Sequence, residues 1–166
     1  MKHSRPKIPV EKSKSDKFIN AVTWILLVVL WILPVLFYQD LPQQIPRHFN
    51  SNATADDYDS KKTIFFLPAI ATLAAFLLTL LNKHPHKFSY LVSITADNAA
   101  FQYRNAMRMV RFLRLSIVLV FLILLIFTLL MSTGRINDPG AGLLIVFILL
   151  VQFPGFYFLY KSIKRR

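Results

Sequence analysis

Residues 115–133 read LSIVLVFLILLIFTLLMST, and this stretch decides the fold class. It contains no charged side chain, and Ile, Leu, Val and Phe fill nearly all of its central part. A helix rises about 1.5 Å per residue, so a helix of this length crosses the roughly 30 Å hydrocarbon layer of a membrane. Each of these apolar residues near the middle of a span favours insertion by roughly 0.3–0.6 kcal/mol. The stretch therefore predicts a transmembrane helix.

Three other blocks share this character, because residues 18–38, 63–81 and 141–160 contain no Asp, Glu, Lys, Arg or His. Hydrophobic residues make up 55% of the chain and charged residues 17%, whereas roughly a quarter is usual for charged residues in soluble domains. The sequence therefore predicts an all-α membrane protein with four transmembrane helices. It contains no cysteine, which excludes disulfide bonds and thiolate metal sites.

The basic residues lie beside alternate ends of these blocks. All but four of the 20 Lys and Arg residues precede the first block, separate the second from the third, or follow the fourth; the exceptions are Arg47, Lys61, Lys62 and Arg135. Because cytoplasmic connections carry the excess of Lys and Arg, we expect both termini and the middle connection in the cytoplasm. The predicted location is the cell inner (plasma) membrane.

The same placement accounts for the net charge of +12 without a nucleic-acid partner. The expected partners are the lipid bilayer and its anionic headgroups on the cytoplasmic side, which attract basic residues near the surface. A protein or peptide partner is a further expectation, and the sequence leaves the oligomeric state open.

The pattern divides the chain into four segments. Residues 1–17 are polar and basic, which is typical of a disordered cytoplasmic tail. Residues 18–81 form a first helix pair with an outer loop, and residues 82–114 form a cytoplasmic connection. Residues 115–166 form a second helix pair and a basic C-terminal tail.

The outer loop contains two Xaa-Pro pairs, Leu41-Pro42 and Ile45-Pro46. Proline fixes φ and restricts the residue before it to extended conformations, so this part of the loop is predicted to be extended rather than helical. Residues 51–60 are polar and rich in Asn and Asp, which favours turns. The prediction is an extended, Pro-rich outer loop.

The cytoplasmic connection combines two patterns. Apolar and polar residues alternate over 88–95, which predicts a short strand, and Thr95 is placed to cap a following helix. In that helix Arg104, Arg108 and Arg111 fall at spacings of four and three, hence on one face. An apolar stripe lies beside them, formed by Ala99, Tyr103, Ala106, Met107 and Val110.

This basic amphipathic helix has two interpretations. It lies on the membrane surface or continues directly into the third span. Alternatively, its basic face docks a protein or a specific lipid.

The outer loop resembles a bacterial membrane family known as domain of unknown function 1648, which typically shows Leu-Pro, Ile-Pro and His-Phe followed by a short turn ending in Lys. The matching residues here are Leu41, Pro42, Ile45, Pro46, His48, Phe49, Asn50, Asp56, Tyr58 and Lys61. Pro68 and the stretch from Ile94 to Met107 also fit, so the resemblance covers most of residues 20–130. It implies a bacterial inner-membrane protein with a use in toxin immunity or signalling, since the family includes an immunity protein for a sporulation-delaying toxin.

A binding site, if present, is expected where the outer loop covers the ends of the first two spans. The two prolines would hold His48 and Asn50 in fixed positions there. The competing interpretation is that Ile45 and Phe49 anchor the loop on the helix ends while His48 hydrogen-bonds to the backbone. The candidate binding residues are Pro42, Pro46, His48, Phe49, Asn50, Asp56 and Lys61.

The sequence predicts a non-enzymatic protein with no cofactor, because it contains no Gly-rich phosphate loop, nucleophile elbow or His-Glu-x-x-His motif. The alternative is a small transporter or a component of a larger transport assembly, although the spans offer none of the ionisable groups that usually mark ion pathways. A third hypothesis is an outward-facing metal-dependent enzyme built on His48, Asp56, Asp57 and Asp59. A single histidine on this side makes a zinc site unfavourable, so no metal is expected.

Overall fold

A computed structural model describes residues 5–50, 54–137, 140 and 142–165. Within these residues the chain forms four α-helices and one two-stranded antiparallel hairpin. Short 3-10 turns at Lys61–Phe65 and Pro85–Lys87 follow the hairpin and the second helix, respectively. The elements are α1 (Lys14–Phe37), β1 (Gln44–Phe49), β2 (Ala55–Ser60), α2 (Phe66–Leu81), α3 (Ala99–Ser132) and α4 (Gly142–Lys164).

The helices alternate in direction around α3, which packs against each of the other three. The N-terminal turns of α1 and α3 meet, whereas α3 and α4 run antiparallel, because Gln102 near the start of α3 bonds Ser162 near the end of α4. The bundle thus has two ends. We call them the hairpin end, where β1 and β2 lie, and the terminal end, where residues 5–13 and the end of α4 lie.

The core joins three of the helices to the hairpin. Its buried members come from α1, α2, α3 and the connection between α1 and α2. Leu41, just before β1, and Ile45, within β1, both belong to this core. The hairpin is therefore attached to the helix ends by apolar packing. The buried core residues are Leu27, Leu30, Leu41, Ile45, Ile64, Ala71, Ala75, Val118, Leu125 and Leu129.

The outer surface of the bundle is apolar. Large side chains such as Phe18, Leu36 and Phe156 are about 70% exposed, whereas soluble monomers rarely expose extensive apolar patches. Four described helices are long and apolar enough to cross a membrane, and each overlaps nearly all of one predicted block. The prediction of four long apolar helices is confirmed, and the architecture fits a multi-pass membrane protein.

The strands lie elsewhere than predicted. The stretch 88–95 is irregular, although its residues alternate between half-buried and exposed as the sequence suggested. It packs through Phe88 and Tyr90 without a neighbouring strand, and a strand requires a hydrogen-bonded partner. The predicted extended loop instead forms the hairpin, so the fold is mostly helical with a small sheet rather than all-α.

The first helix begins within the segment that the sequence predicts to be a disordered tail. Helix α1 begins at Lys14, four residues before the apolar block, because Ser13 and Asp16 form a reciprocal capping box. Further upstream, the Pro6 carbonyl accepts a hydrogen bond of 3.0 Å from the Tyr103 hydroxyl of α3. Residues 5–17 are therefore held on the terminal end of the bundle.

Helix α3 is continuous over 34 residues, which confirms that the amphipathic segment runs directly into the third span. All five members of the predicted apolar stripe are buried, and they face other protein segments. The helix ends in a turn at Gly134, whose φ of 68° favours glycine. The sequence Asn-Asp-Pro-Gly at 137–140 is typical of a turn, but Asp138 and Pro139 lie outside the described residues.

Candidate functional site

The hairpin has an anchored face and an exposed face. Ile45, 1% exposed, and Pro46 are buried on the helix ends, whereas Arg47 and His48 are exposed. The register shifts between Pro46 and Phe49, where a β-bulge breaks the alternation of side chains. Proline has no N–H to donate, so its position beside a bulge agrees with its usual place in sheets.

The exposed face carries two cross-strand side-chain pairs. The His48 Nδ1 lies 2.6 Å from the Asp56 Oδ1, and Arg47 Nη1 lies 3.3 Å from Asp59 Oδ2. His48 therefore pairs with a side chain rather than with the backbone, contrary to one interpretation of the sequence. Exposed pairs of this kind contribute roughly 0–1 kcal/mol, so their side chains are available for recognition at little cost to the fold.

The other predicted binding residues lie at the tip and the base of the hairpin. At the tip, the Asn50 side-chain oxygen accepts a hydrogen bond from the Thr54 backbone N–H at 3.2 Å. The Asn50 backbone N–H donates in turn to the Thr54 carbonyl. At the base, Lys61 Nζ donates to the carbonyls of Tyr38 and Leu41 at 3.2 and 3.3 Å. The Lys61 ammonium also lies 4.7 Å from the centre of the Tyr38 ring, an attractive cation–π distance.

The remaining predicted residues are Pro42, Pro46 and Phe49. Pro46 and Phe49 line a small cavity against α2 and α3, while Pro42 lies on the opposite side of the hairpin base. The seven candidates thus do not form one constellation. The structure brings His48 and Asp56 together, whereas Pro46 and Lys61 hold the hairpin to the helix ends. Binding by these residues stays a prediction.

A larger cavity, of about 650 Å³, opens beside the hairpin between the ends of α1 and α3. Its walls are mainly apolar and include Leu33, Phe37 and Leu129. Two exposed residues of opposite charge, Asp40 and Arg135, also line it. The hairpin end therefore combines an apolar cavity with charged groups on the neighbouring strands.

The basic residues predicted on α3 have different surroundings from one another. Arg104 is exposed, whereas Arg108 and the buried Arg111 both contact Asp16 of α1, at 3.2 and 2.9 Å from its Oδ1. Asp16 is itself fully buried and also accepts a hydrogen bond from the Ser13 hydroxyl. The predicted basic face is thus partly an internal ion-pair network that joins α1 to α3.

Sequence reasoning missed Asp16 as the centre of this network, and it missed the buried Arg114 beyond it. Arg114 is buried one turn further along α3, where it donates to Thr79 of α2 and Asn20 of α1. The available signal for Asp16 was its spacing of three from Ser13 immediately before an apolar run, which is the pattern of a capping box. No comparable pattern distinguishes Arg114.

Aromatic residues hold the N-terminal segment at the terminal end. The Arg5 guanidinium lies 5.3 Å from the centre of the Tyr90 ring, and that ring packs on Tyr103 at 5.8 Å. Burial, and secondarily the neighbouring Tyr103, raises the pKa of Tyr90. Partial desolvation, followed by the nearby charges of Lys7, His84 and Lys87, lowers the pKa of His86. Arg5, Tyr90 and Tyr103 are thus in contact, and basic side chains surround them.

The metal hypothesis required several ligands to converge on the outer side. Among the residues that the structure describes, no group of three or more His, Asp or Glu side chains is arranged to hold a metal ion. His48 and Asp56 form a pair only.

The hairpin and its flanking helices correspond to a known sequence family. Residues 25–72 match the model of a domain of unknown function, DUF1648. The matched segment runs from within α1, through the hairpin, to the first turns of α2. The resemblance inferred from the outer-loop motif is thereby confirmed for this part of the chain.

The chain is also similar to one distant curated relative. The chain is 27% identical over 85 residues to an uncharacterized protein of Archaeoglobus fulgidus. The alignment covers 46% of the present chain and 46% of that relative, so it spans about half of each protein. No solved structure matches the chain.

Proposed function

We propose that this DUF1648-containing chain is a non-enzymatic inner-membrane protein that recognises an amphipathic peptide outside the cytoplasm, in toxin immunity or in signalling. The observation that carries the proposal is the anchored hairpin, which presents ion-paired side chains next to an apolar cavity. An amphipathic peptide supplies charged groups for the strands and apolar side chains for the cavity.

The hairpin is more elaborate than a membrane crossing requires. Two antiparallel helices need only a short connection, whereas residues 38–65 build two strands between α1 and α2. The strands are fixed to the helix ends by Leu41, Ile45 and Lys61. A rigid element that exposes its polar side chains is suited to binding, because little conformational freedom is lost when a partner docks.

The exposed surface of the hairpin is suited to peptide recognition. Tyr58 is 55% exposed on β2, and tyrosine is enriched in protein interfaces. Asp56 and Asp57 are exposed on the same strand, and His48 and Arg47 on its partner. Groups of both signs give orientation to a bound peptide through electrostatic complementarity.

The proposal requires the hairpin end to face away from the cytoplasm. We expect reporter fusions at Asn50 and Ala100 to report opposite compartments, with Ala100 cytoplasmic, because the excess of basic residues lies at the terminal end. Paired alkaline phosphatase and fluorescent-protein fusions measure this directly. Reporters that place both positions in the same compartment would contradict the orientation.

Immunity is tested by survival of cells that lack the gene. We expect deletion to sensitise the source organism to membrane-active peptides in its own culture supernatant, and the wild-type gene to restore survival. A His48→Ala/Tyr58→Ala variant should fail to restore it, because both side chains are exposed on the hairpin. Killing curves, with membrane levels of each variant measured by immunoblotting, provide the comparison.

The matched control is Leu91→Ala, which removes an exposed apolar side chain at the opposite end of the bundle. It should restore survival as fully as the wild-type protein. Unchanged survival and unchanged gene expression on deletion would refute the proposal. Full rescue by the hairpin variant would show that His48 and Tyr58 are not part of the recognition surface.

A further inference from the structure

A cavity at the terminal end lies between the N-terminal segment and the helices α1, α2 and α3. Its volume is about 420 Å³. We call it the basic cavity, because four basic residues line it: Lys12, Lys83, Arg111 and Arg114. They come from three separate parts of the chain, the N-terminal segment, the end of α2 and the first half of α3. No acidic residue is among its described lining residues.

Arg114 is held in one orientation within this cavity. Its Nη1 donates to the Thr79 hydroxyl at 2.7 Å, and its Nη2 donates to Asn20 Oδ1 at 2.5 Å. The residue is only 3% exposed. Its Nε is buried and has no hydrogen-bond acceptor among the described residues, so the guanidinium retains an unused donor.

The arginines around the cavity outnumber the carboxylates that pair with them in the described part of the chain. Asp16 is the carboxylate partner of both Arg108 and Arg111. The described contacts of Arg114 are to neutral groups, namely Thr79, Asn20 and, at 5.9 Å, the Trp24 ring. A buried cation without a counterion is unfavourable. An anion in the cavity would compensate this charge.

The geometry favours a phosphate group as the anion. Arginine presents planar, directed N–H donors that match phosphate oxygens, and lysines add mobile positive charge. Lys12 and Lys83 are both exposed at the cavity, where they can approach a bound oxygen anion. A neutral ligand would leave these charges uncompensated.

We expect the cavity to lie at the depth of lipid headgroups. Arg114 immediately precedes the uncharged stretch 115–133, and Trp24, which lines the cavity, is an interfacial residue type. We propose that the basic cavity binds a phosphate-bearing anion, either the headgroup of an anionic phospholipid or a free phosphate compound. This proposal does not depend on the role of the hairpin.

The test compares phosphatidylglycerol, phosphatidylcholine and inorganic phosphate on purified full-length protein in detergent. Native mass spectrometry counts bound lipid, and thermal unfolding in phosphate or chloride at equal ionic strength measures anion stabilisation. The cavity variant is Lys12→Gln/Lys83→Gln, which changes exposed residues only. We expect it to weaken anion binding at least about tenfold, since each basic residue contributes roughly 1 kcal/mol to attraction of anionic lipid.

The matched control is Lys14→Gln/Lys17→Gln, which removes the same charge from two exposed lysines of α1 outside the cavity. Preferential retention of phosphatidylglycerol, lost in the cavity variant but kept in the control, identifies a lipid headgroup. A phosphate-dependent rise in Tm with the same pattern, but without lipid preference, identifies a free phosphate compound.

Arg114→Gln is a second variant and should abolish the selective effect. The proposal is overturned if the wild-type protein shows neither phosphatidylglycerol preference nor phosphate stabilisation. It is also overturned if the two double variants lose binding equally, because the effect would then reflect overall charge.

Discussion

Replacing Asp16 with asparagine is expected to lower the free energy of unfolding by about 3–5 kcal/mol, the usual effect of breaking a buried ion pair from one side. Asparagine keeps the size and one acceptor oxygen for the capping box, but it replaces the oxygen that faces Arg108 and Arg111 with an NH2 donor, so both the charge and that acceptor are lost. Arg111, buried and 2.9 Å from the lost carboxylate, would then lack its counterion. Denaturant unfolding in detergent, followed by circular dichroism, measures the difference.

Asp97→Asn is the control for this experiment, because Asp97 is exposed just before α3 at the same end of the bundle. It should change the unfolding free energy by less than about 0.5 kcal/mol. A double variant, Asp16→Asn/Arg111→Met, should recover part of the loss, since an isolated buried cation is removed. Equal stabilities of the two Asp→Asn variants would show that the network contributes nothing.

Replacing Ile45 with alanine is expected to cost about 2–5 kcal/mol, the range for deleting most of a buried isoleucine side chain. Ile45 is 1% exposed and joins the hairpin to the core that α1, α2 and α3 share. Ile45→Val should cost only about 0.5–1.5 kcal/mol, because it removes a single methylene. Thermal and denaturant unfolding of the three proteins give the comparison.

The same variants separate the hairpin's stability from its proposed role in binding. Ile45→Ala should increase proteolysis within residues 38–60 before the helices unfold, because the anchor of the strands is weakened. His48→Ala/Tyr58→Ala should leave proteolysis unchanged, since both residues are exposed. If Ile45→Ala were as stable and as protease-resistant as the wild-type protein, the hairpin would not be anchored through this residue.

The helices were predictable because they depend on composition over long stretches. Each of the uncharged apolar blocks, at 18–38, 63–81, 115–133 and 141–160, falls almost entirely within one of the four described helical spans. Insertion free energies sum over many residues, so no single contact decides such an element. The apolar stripe of α3 was predictable for a similar reason, since helical spacing gathers Tyr103, Ala106 and Val110 on one buried side.

The strands were not predictable because a strand's stability depends on its partner. The β2 sequence, ADDYDS, has low intrinsic strand propensity and is stabilised by pairing with β1. In residues 88–95, by contrast, half-buried and exposed side chains alternate as in a strand, but these residues form no strand. In residues 88–95 periodicity thus predicted which side chains face inward, but it did not identify a hydrogen-bonding partner strand, and no alternation of burial marks β2.

The sites differ in the same way. The resemblance directed attention to His48 and Asp56, which are in contact, because the motif is local and the two strands are adjacent in sequence. The basic cavity depends on residues separated by as many as 102 positions, from Lys12 to Arg114. A count of charges along the chain shows an excess at this end of the bundle but not which cations are buried without an acid.

The length of α3 has a mechanical consequence. Its 34 residues extend about 51 Å, roughly 20 Å more than the hydrocarbon layer, and the helix contacts β1 near one end and the N-terminal segment at the other. A straight helix tilts as a unit. A rotation of about 10° around its midpoint displaces each end by about 4 Å in opposite directions. Movement of the strands at one end of α3 would therefore displace Arg108, Arg111 and Arg114 near its other end in the opposite direction.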